Sequence, residues 1–296
     1  MKLTREQKRN LVKGLLFTSP WLIGISIFIL YPFLASLYYS FCYYSVLQPP
    51  KFIGLFNYKD LLSDPIFWKA LGNTFYYVAF MIPLGFVVSL GLAILLNTKV
   101  RGMAFYRMIF FIPSLVPMVA GSILWMWIFN GEYGLLNNFL SNIGVPNPPN
   151  WLMDVRFAKP AIIIMSLWGL GQMIIVYLAG LQEVPASLIE SAHLDGANVF
   201  GRLIHITIPM VSPVIYFNVI MSVISSFQVF AQPYIMTAGG PQRSTTFYTL
   251  YLYETAFVDL RMGYASAMAW ILFIIILALT LLVTRASREK VYYRGG

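Results

Sequence analysis

Few side chains in this sequence could carry out covalent chemistry. There are two histidines, His193 and His205, and one cysteine, Cys42. That set is too small for a His- or Cys-rich metal site and leaves no partner for an internal disulfide. More telling is a group of neutral polar side chains inside apolar sequence. Asn218, Ser222, Ser225 and Gln232 fall within about 80° of one another on a helical wheel. Trp168 and Gln172 are four residues apart, which puts them on one helix face, and Phe227, Phe230 and Trp270 could add ring faces. Polar groups at membrane depth turn towards the bundle interior, because lipid exposure is costly. There they can line a path for a solute or join helices to one another. No Asp, Glu, Lys or Arg accompanies them, which argues against a proton relay and against recognition of a charged solute inside the membrane. A membrane-embedded hydrolase would need a nucleophile–base pair or a metal cluster at that depth. Neither histidine suits that role, since both fall in a loop or at its membrane edge.

The elements that must position these groups follow from composition. Of 296 residues, 59% are hydrophobic and 10% charged, and the mean hydropathy is +0.72. A soluble domain is about 25% charged, so this chain could not cover its outside in water. Charge-free windows cover 14–50, 70–98, 108–131, 160–182, 203–242 and 262–284. Each is long enough for the roughly 20 residues that a crossing helix needs. The expected fold is all-α, a single polytopic transmembrane domain over 1–296. Its six spans lie near 15–40, 72–96, 107–130, 160–181, 210–236 and 264–284. The first is read as an uncleaved span, because it is too long for a signal peptide and no small-residue cleavage site follows. The window 133–153 is also charge-free, but its five Asn and three Pro read as a polar loop. Prolines 20, 32, 83, 113, 117, 160, 213 and 233 fall inside spans or at their ends, where kinks are expected.

Six spans put both termini on one side. That side holds 13 of the 20 Lys and Arg, among them Lys2, Arg5, Lys8, Arg9 and Lys13 at the start, Lys99, Arg101 and Arg107 after the second span, and Arg285, Arg288, Lys290 and Arg294 at the end. The positive-inside rule makes it the cytoplasm. The same bias accounts for the net charge of +9 without nucleic acid, which would need a basic folded domain.

The loop 183–209 breaks the charge rule. It holds one basic residue, Arg202, against Glu183, Glu190 and Asp195. A loop that rests on anionic lipid would be basic, so this one reads as a surface for protein. Ser187 and Glu190 have the spacing of a capping box, which predicts a helix start. Gly196 can end that helix in a left-handed conformation, and Asn198 can cap a second one. Phe200, Leu203, Ile204 and Thr207 would share a face of that second helix, and Pro209 marks the entry to the fifth span. The plain alternative is an amphipathic helix lying on the membrane.

The string Glu190-Ser-Ala-x-x-Asp195-Gly196-Ala197, followed by Ile206-x-Ile-Pro209, resembles the EAA motif of ABC-importer permease subunits. The one departure is Ser191, where the family usually has Ala. The resemblance implies an ABC importer permease fold whose cytoplasmic coupling helix docks in a groove of an ATPase. Glu190, Ser191 and Ala192 would contact that ATPase, Gly196 would set the bend, and Asp195 and Ala197 would complete the surface. Further strings are similar to carbohydrate permeases of the maltose-permease F-subunit type: Met236-Thr-Ala-Gly-Gly-Pro241 with Ser244-Thr245, Tyr253-Glu-Thr-Ala-Phe257, Gly263-Tyr-Ala-Ser-Ala267, and Asn57-Tyr58, Asp64-Pro65, Phe67-Trp68 and Asn73-Thr74. The chain has no room for the extra spans and large outward domain of the maltose protein, so it resembles the shorter six-span members.

On this resemblance the chain is a transporter subunit and not an enzyme, in a bacterial or archaeal cytoplasmic (inner) membrane. Its partners would be a related second permease, a pair of cytoplasmic ATPase subunits and an extracytoplasmic sugar-binding protein. No G-x-x-x-x-G-K-[ST] loop occurs, so ATP and Mg would be bound by the partner ATPase and this chain would carry no cofactor. The polar stripe and Trp168 with Gln172 would then line a sugar path. A permease for glycerol phosphate or an amino acid is the alternative.

Overall fold

A computed structural model describes residues 4–98, 100–288 and 292. Lys2, Lys99, Lys290 and Arg294, counted above in the charge bias, lie outside the described residues. The described chain is mostly helical and divides into two compact units. One takes in the chain up to Ser63 together with Leu252–Ile271. The other is Asp64–Tyr251 and the chain from Leu272 onward.

In the first unit, α1 (Arg5–Ile25) runs through a π-helical turn, Ser26–Leu30, into α2 (Tyr31–Ser40). The helix begins ten residues before the expected span. A capping box explains the early start: Thr4 Oγ1 accepts from the Gln7 N–H, and Gln7 Oε1 accepts from the Thr4 N–H. Arg5, Arg9 and Lys13 therefore ride on helix, not on a free tail. A hairpin follows, β1 (Cys42–Ser45) antiparallel to β2 (Gln48–Phe52) with Cys42 opposite Phe52. Next comes α3 (Phe56–Ser63). Buried Asn57 anchors the hairpin by donating to the carbonyls of Ser40 and Cys42, each at 2.9 Å. Arg261 pairs with Asp60 at 2.8 Å. Gly263 lies so close to the Cys42 carbonyl that no β-carbon would fit.

The second unit is built on α4 (Pro65–Leu96), capped by Asp64, whose carboxylate accepts from the Ile66 N–H. It continues through α5 (Met103–Phe111), a 3-10 turn Ile112–Leu115, α6 (Met118–Ile128), α7 (Leu135–Asn142), α8 (Ala158–Trp168) and α9 (Gly171–Gln182). Then come α10 (Ala186–Leu194), α11 (Val199–Arg202), a π-helical turn Leu203–Thr207, α12 (Ile208–Phe227), α13 (Ala231–Met236) and α14 (Tyr248–Tyr253). A third π-helical turn, Glu254–Val258, precedes α15 (Met262–Ser287), which begins in the first unit and ends in the second. In the core of the second unit Leu90, Ala93 and Leu96 of α4 meet Ile174, Tyr177, Leu178 and Leu181 of α9 and Val211 of α12. Gly180 lets α9 and α12 close up, since a β-carbon there would come within 2.7 Å of Val214 Cγ2. Arg107 caps the far end of α4, its Nε and Nη2 donating to the Leu96 carbonyl at 3.1 and 2.9 Å.

Among the described residues four helices are long and apolar enough to cross a membrane, and up to six spans result when each bent pair counts as one. The bends are 100° between α5 with its 3-10 turn and α6, and 48° between α8 and α9. The expected six spans are therefore accounted for, and three are interrupted: the third and fourth at these bends, and the fifth between α12 and α13. The window 133–153 differs from its reading as a plain loop, because it contains α7. Asn137 stitches this segment together. Its Nδ2 donates to the carbonyls of Gly131 and Pro149, and its Oδ1 accepts from Trp151 Nε1 at 2.8 Å.

Candidate substrate cavity and coupling element

A cavity of about 470 Å³ opens inside the second unit. It forms where spans are interrupted. Pro113 and Val116 come from the bend before α6, Gly169 and Leu170 from the break between α8 and α9, and Gln228 to Ala231 from the break between α12 and α13. Interrupted helices leave backbone groups free, and at membrane depth this is tolerated where they line a cavity or are buried in protein. Gly171 holds one break tight, because a β-carbon there would sit 2.8 Å from both the Phe110 carbonyl and Ser114 Oγ.

The lining is uncharged. Its polar groups are Tyr77, Ser166, Ser222, Ser225, Ser226, Gln228 and Gln232, and its rings besides Tyr77 are Trp168 and Phe230. Tyr77 donates to Ser166 Oγ at 2.9 Å, and Ser166 in turn donates to the Ile162 carbonyl at 2.8 Å. Trp125 meets Trp168 edge-on at 6.0 Å, and Phe230 stacks on Tyr234 at 5.3 Å. The site can hydrogen-bond a neutral hydroxylated solute and press rings against it. It offers no carboxylate, ammonium or guanidinium group.

Of the six side chains expected on the path, Trp168, Ser222, Ser225 and Gln232 come together here. Asn218 and Gln172 do not. The wheel assumed one unbroken helix, whereas α12 ends at Phe227 and Gln232 belongs to α13. Asn218 lies off the wall, buried beside Tyr177, and its amide nitrogen forms no well-aligned hydrogen bond. Gln172 shares no continuous helix with Trp168. The chain breaks at Gly169, and Gln172 is exposed in the first turn of α9. Phe227 is fully buried against the edge of Phe75, and Trp270 belongs to the first unit, its ring on Phe33 and its Nε1 donating to Ser36. Ser226, Gln228, Tyr77 and Ser166 were missed. Gln228 reaches the cavity where the helix breaks, Ser226 lies within α12 four residues from Ser222, and Tyr77 carries a hydroxyl in sequence that otherwise reads as plain core.

The 183–209 element is the opposite kind of surface, since none of its residues is buried. The expected capping box at Ser187 and Glu190 does not form. The helix α10 starts at Ala186, after Pro185 at φ −62°, without a side-chain cap. Proline presets the first turn, so Ser187 falls inside the helix. The glycine bend does form. Gly196 adopts φ +82°, and the N–H groups of Gly196 and Ala197 donate to the carbonyls of His193 and Ala192. Those two bonds define a Schellman end. Asn198 Oδ1 then accepts from the Gly201 N–H at 2.7 Å and caps α11. No separate second helix follows, because α11 runs through the π-helical turn straight into α12. Glu190, Ser191, Asp195 and Gly196 are exposed and Ala192 and Ala197 half-buried. Leu194 is 87% exposed and Phe200 74%.

Comparison with known proteins agrees with this architecture. Residues 81–289 match the family described as binding-protein-dependent transport system inner membrane component. A probable ABC transporter permease, YesP of Bacillus subtilis, is 38% identical and covers 100% of this chain and 96% of its own length. The lactose transport system permease LacF of Rhizobium radiobacter is 38% identical, covering 94% of this chain and 95% of its own. The trehalose/maltose transport system permease MalF of Thermococcus litoralis is 33% identical, with 94% of each covered. A chain of a bacterial alginate ABC transporter, solved in complex with its pentasaccharide-bound periplasmic protein, shares the fold at a TM-score of 0.85. It is 23% identical, and 98% of each chain is covered. The chain therefore belongs to the inner membrane components of binding-protein-dependent transport systems, and is a permease subunit of an ABC transporter rather than an enzyme.

Proposed function

We propose that this chain is a permease subunit of an ATP-driven carbohydrate importer and forms half of its translocation path. The observation that carries the reading is the uncharged cavity at three helix breaks, with serines, glutamines and ring faces on its wall. Neutral hydroxyl-rich solutes are recognised by such groups. The sugar transport systems of the relatives point the same way. An amino acid or glycerol phosphate would require a charged partner, and the cavity wall supplies none.

The exposed 183–209 element is the docking surface for a cytoplasmic ATPase, which would bind ATP and Mg. Glu190, Ser191, Ala192, Asp195, Gly196 and Ala197 form its contact strip. A second permease would complete the path, and an extracytoplasmic binding protein would deliver the sugar. The basic bias of the termini supports a cytoplasmic location for both of them.

Purification of the tagged chain from the native membrane tests this reading, followed by reconstitution with its binding protein. The expected result is co-purification of a second permease and an ATPase, and ATP-dependent uptake of at least one sugar from a panel of neutral mono- and oligosaccharides. A chain that purifies alone as a stable homo-oligomer would overturn it.

A further inference from the structure

Two of the three π-helical turns share one arrangement. In the first unit the Tyr31 N–H donates to the Ser26 carbonyl, five residues back, and Pro32 follows. In the second unit the Ile208 N–H donates to the Leu203 carbonyl, and Pro209 follows. Proline has no N–H to donate, and its ring crowds the carbonyl four residues back. That carbonyl belongs to Phe28 in one case and His205 in the other. Widening the preceding turn relieves the crowding, and membrane helices re-satisfy proline-freed groups through such local adjustments.

The second turn has further support. Two carbonyls just before the turn, those of Gly201 and Arg202, also meet side chains. His205 Nδ1 lies 3.0 Å from the Gly201 carbonyl, which can only accept, so Nδ1 carries the proton. Thr207 Oγ1 donates to the Arg202 carbonyl at 3.4 Å. The turn also occupies a mechanical junction. The Gly196 bend and α10 lie on one side of it, and Ser222 and Ser225 of the cavity wall lie on the other, on the helix that continues from it.

Closing a turn five residues back instead of four takes up one extra residue. Each helical residue turns the chain by about 100° and advances it by about 1.5 Å. We propose that Pro209 is a positioning residue. It forces the π-helical turn at Leu203–Thr207 and thereby sets the rotational register between the coupling element and the cavity-lining face of α12. This rests on the ATPase-docking reading of 183–209. Without Pro209 the segment relaxes to regular α-helix, and the docking strip swings about 100° away from the direction in which it meets the ATPase. Removing one residue from the same segment restores the original facing, because the surplus residue is then gone.

The test compares Pro209→Ala with Pro209→Ala carrying a deletion of Ile206, each in the fully assembled complex. Two readouts need no knowledge of the transported sugar: the amount of ATPase retained on the tagged chain, and, in a Cys42→Ser background, the distance between spin labels at Ser187→Cys, outside the contact strip, and Met221→Cys. Pro209→Ala is expected to lose ATPase at least tenfold and to shift the label distance by at least about 3 Å. The added deletion is expected to return both to within twofold and within about 1 Å of the parent. Parental distance and ATPase retention in Pro209→Ala overturn the inference. So does a loss that the deletion fails to restore, since the proline would then act other than through facing. If Pro209→Ala cannot be recovered from membranes, the double variant must by itself behave as the parent, and its failure is equally fatal. A parent chain that retains no ATPase removes the docking reading and this inference together.

Discussion

The loops 183–209 and 237–247 draw on the same residue types: a glycine in the left-handed region, hydroxyls and a proline. They end in opposite states. The first has no buried residue, its own side chains bond only within it among the described residues, and it leaves Leu194 and Phe200 exposed. The second buries Ser244, Thr245, Thr246 and Phe247 and is held by side chains from distant helices. Asn73 Nδ2 donates to the carbonyls of Arg243 and Thr246 at 2.9 and 3.1 Å, and Lys69 Nζ donates to that of Gln242 at 2.7 Å. Lys159 Nζ in turn holds Asn73 Oδ1 at 3.1 Å. Local sequence chemistry shapes a turn, but it is the distant donors of α4 and α8 that decide whether the turn is sealed or left open. An open loop with exposed Leu and Phe fits the docking role proposed for it.

This contrast can be broken from the sealed side, where the largest effect is expected. Asn73→Leu removes two donors and one acceptor from a buried network. Each buried polar group left without its partner costs about 1–3 kcal/mol, so a loss on the order of 3 kcal/mol or more is expected. A marked drop in thermal unfolding temperature in detergent checks it. An unchanged temperature would mean that the 237–247 loop is held by other bonds. On the open side stability should hardly move while assembly fails. Gly196→Pro removes the donor to the His193 carbonyl and forbids φ +82°. ATPase co-purification should fall at least tenfold, with an unfolding temperature close to the parent's. Milder again is Leu194→Ser with Phe200→Ser. Exposed substitutions change stability by about ±0.5 kcal/mol or less, so only ATPase retention should fall, by several-fold. A fall in stability instead would show that these side chains pack within the chain.

Hydropathy made the spans legible, because a bilayer constrains helices by length and polarity alone. The Gly196 bend and the Asn198 cap were equally legible, since both are local and hold within three to five residues. The bend at Pro113 and Pro117 fell where prolines predict a kink, but the break after Phe227 was not legible. Gln228, Val229 and Phe230 include no Gly or Pro, yet α12 stops there, and α13 then packs against α6. That choice is tertiary, and no window of sequence contains it. The capping box at Ser187 lost to a stronger neighbour, since Pro185 begins the helix first. Asn137 looked like loop polarity because the carbonyls it bonds lie six and twelve residues away.

The smallest effects separate lining from packing within the cavity's own helices. Gln232 lies on the wall, and Gln232→Leu should cut sugar uptake several-fold while ATPase retention stays at the parent level. Asn218 belongs to the same polar stripe by sequence but not to the wall. Its amide nitrogen is buried without a well-aligned partner, so the native side chain already bears a desolvation cost. A donor without a well-aligned partner has little hydrogen bonding to lose, and leucine fills a similar volume. Asn218→Leu should therefore leave uptake within about twofold of the parent, equivalent to less than about 0.5 kcal/mol, and should not lower the unfolding temperature. Uptake assays and thermal unfolding on the two variants side by side check this. A loss in Asn218→Leu as large as in Gln232→Leu would place Asn218 on the path in another conformation of the transporter. The cavity wall would then change its membership as the protein works, and the stripe read from the sequence would describe the cycle better than it describes this one state.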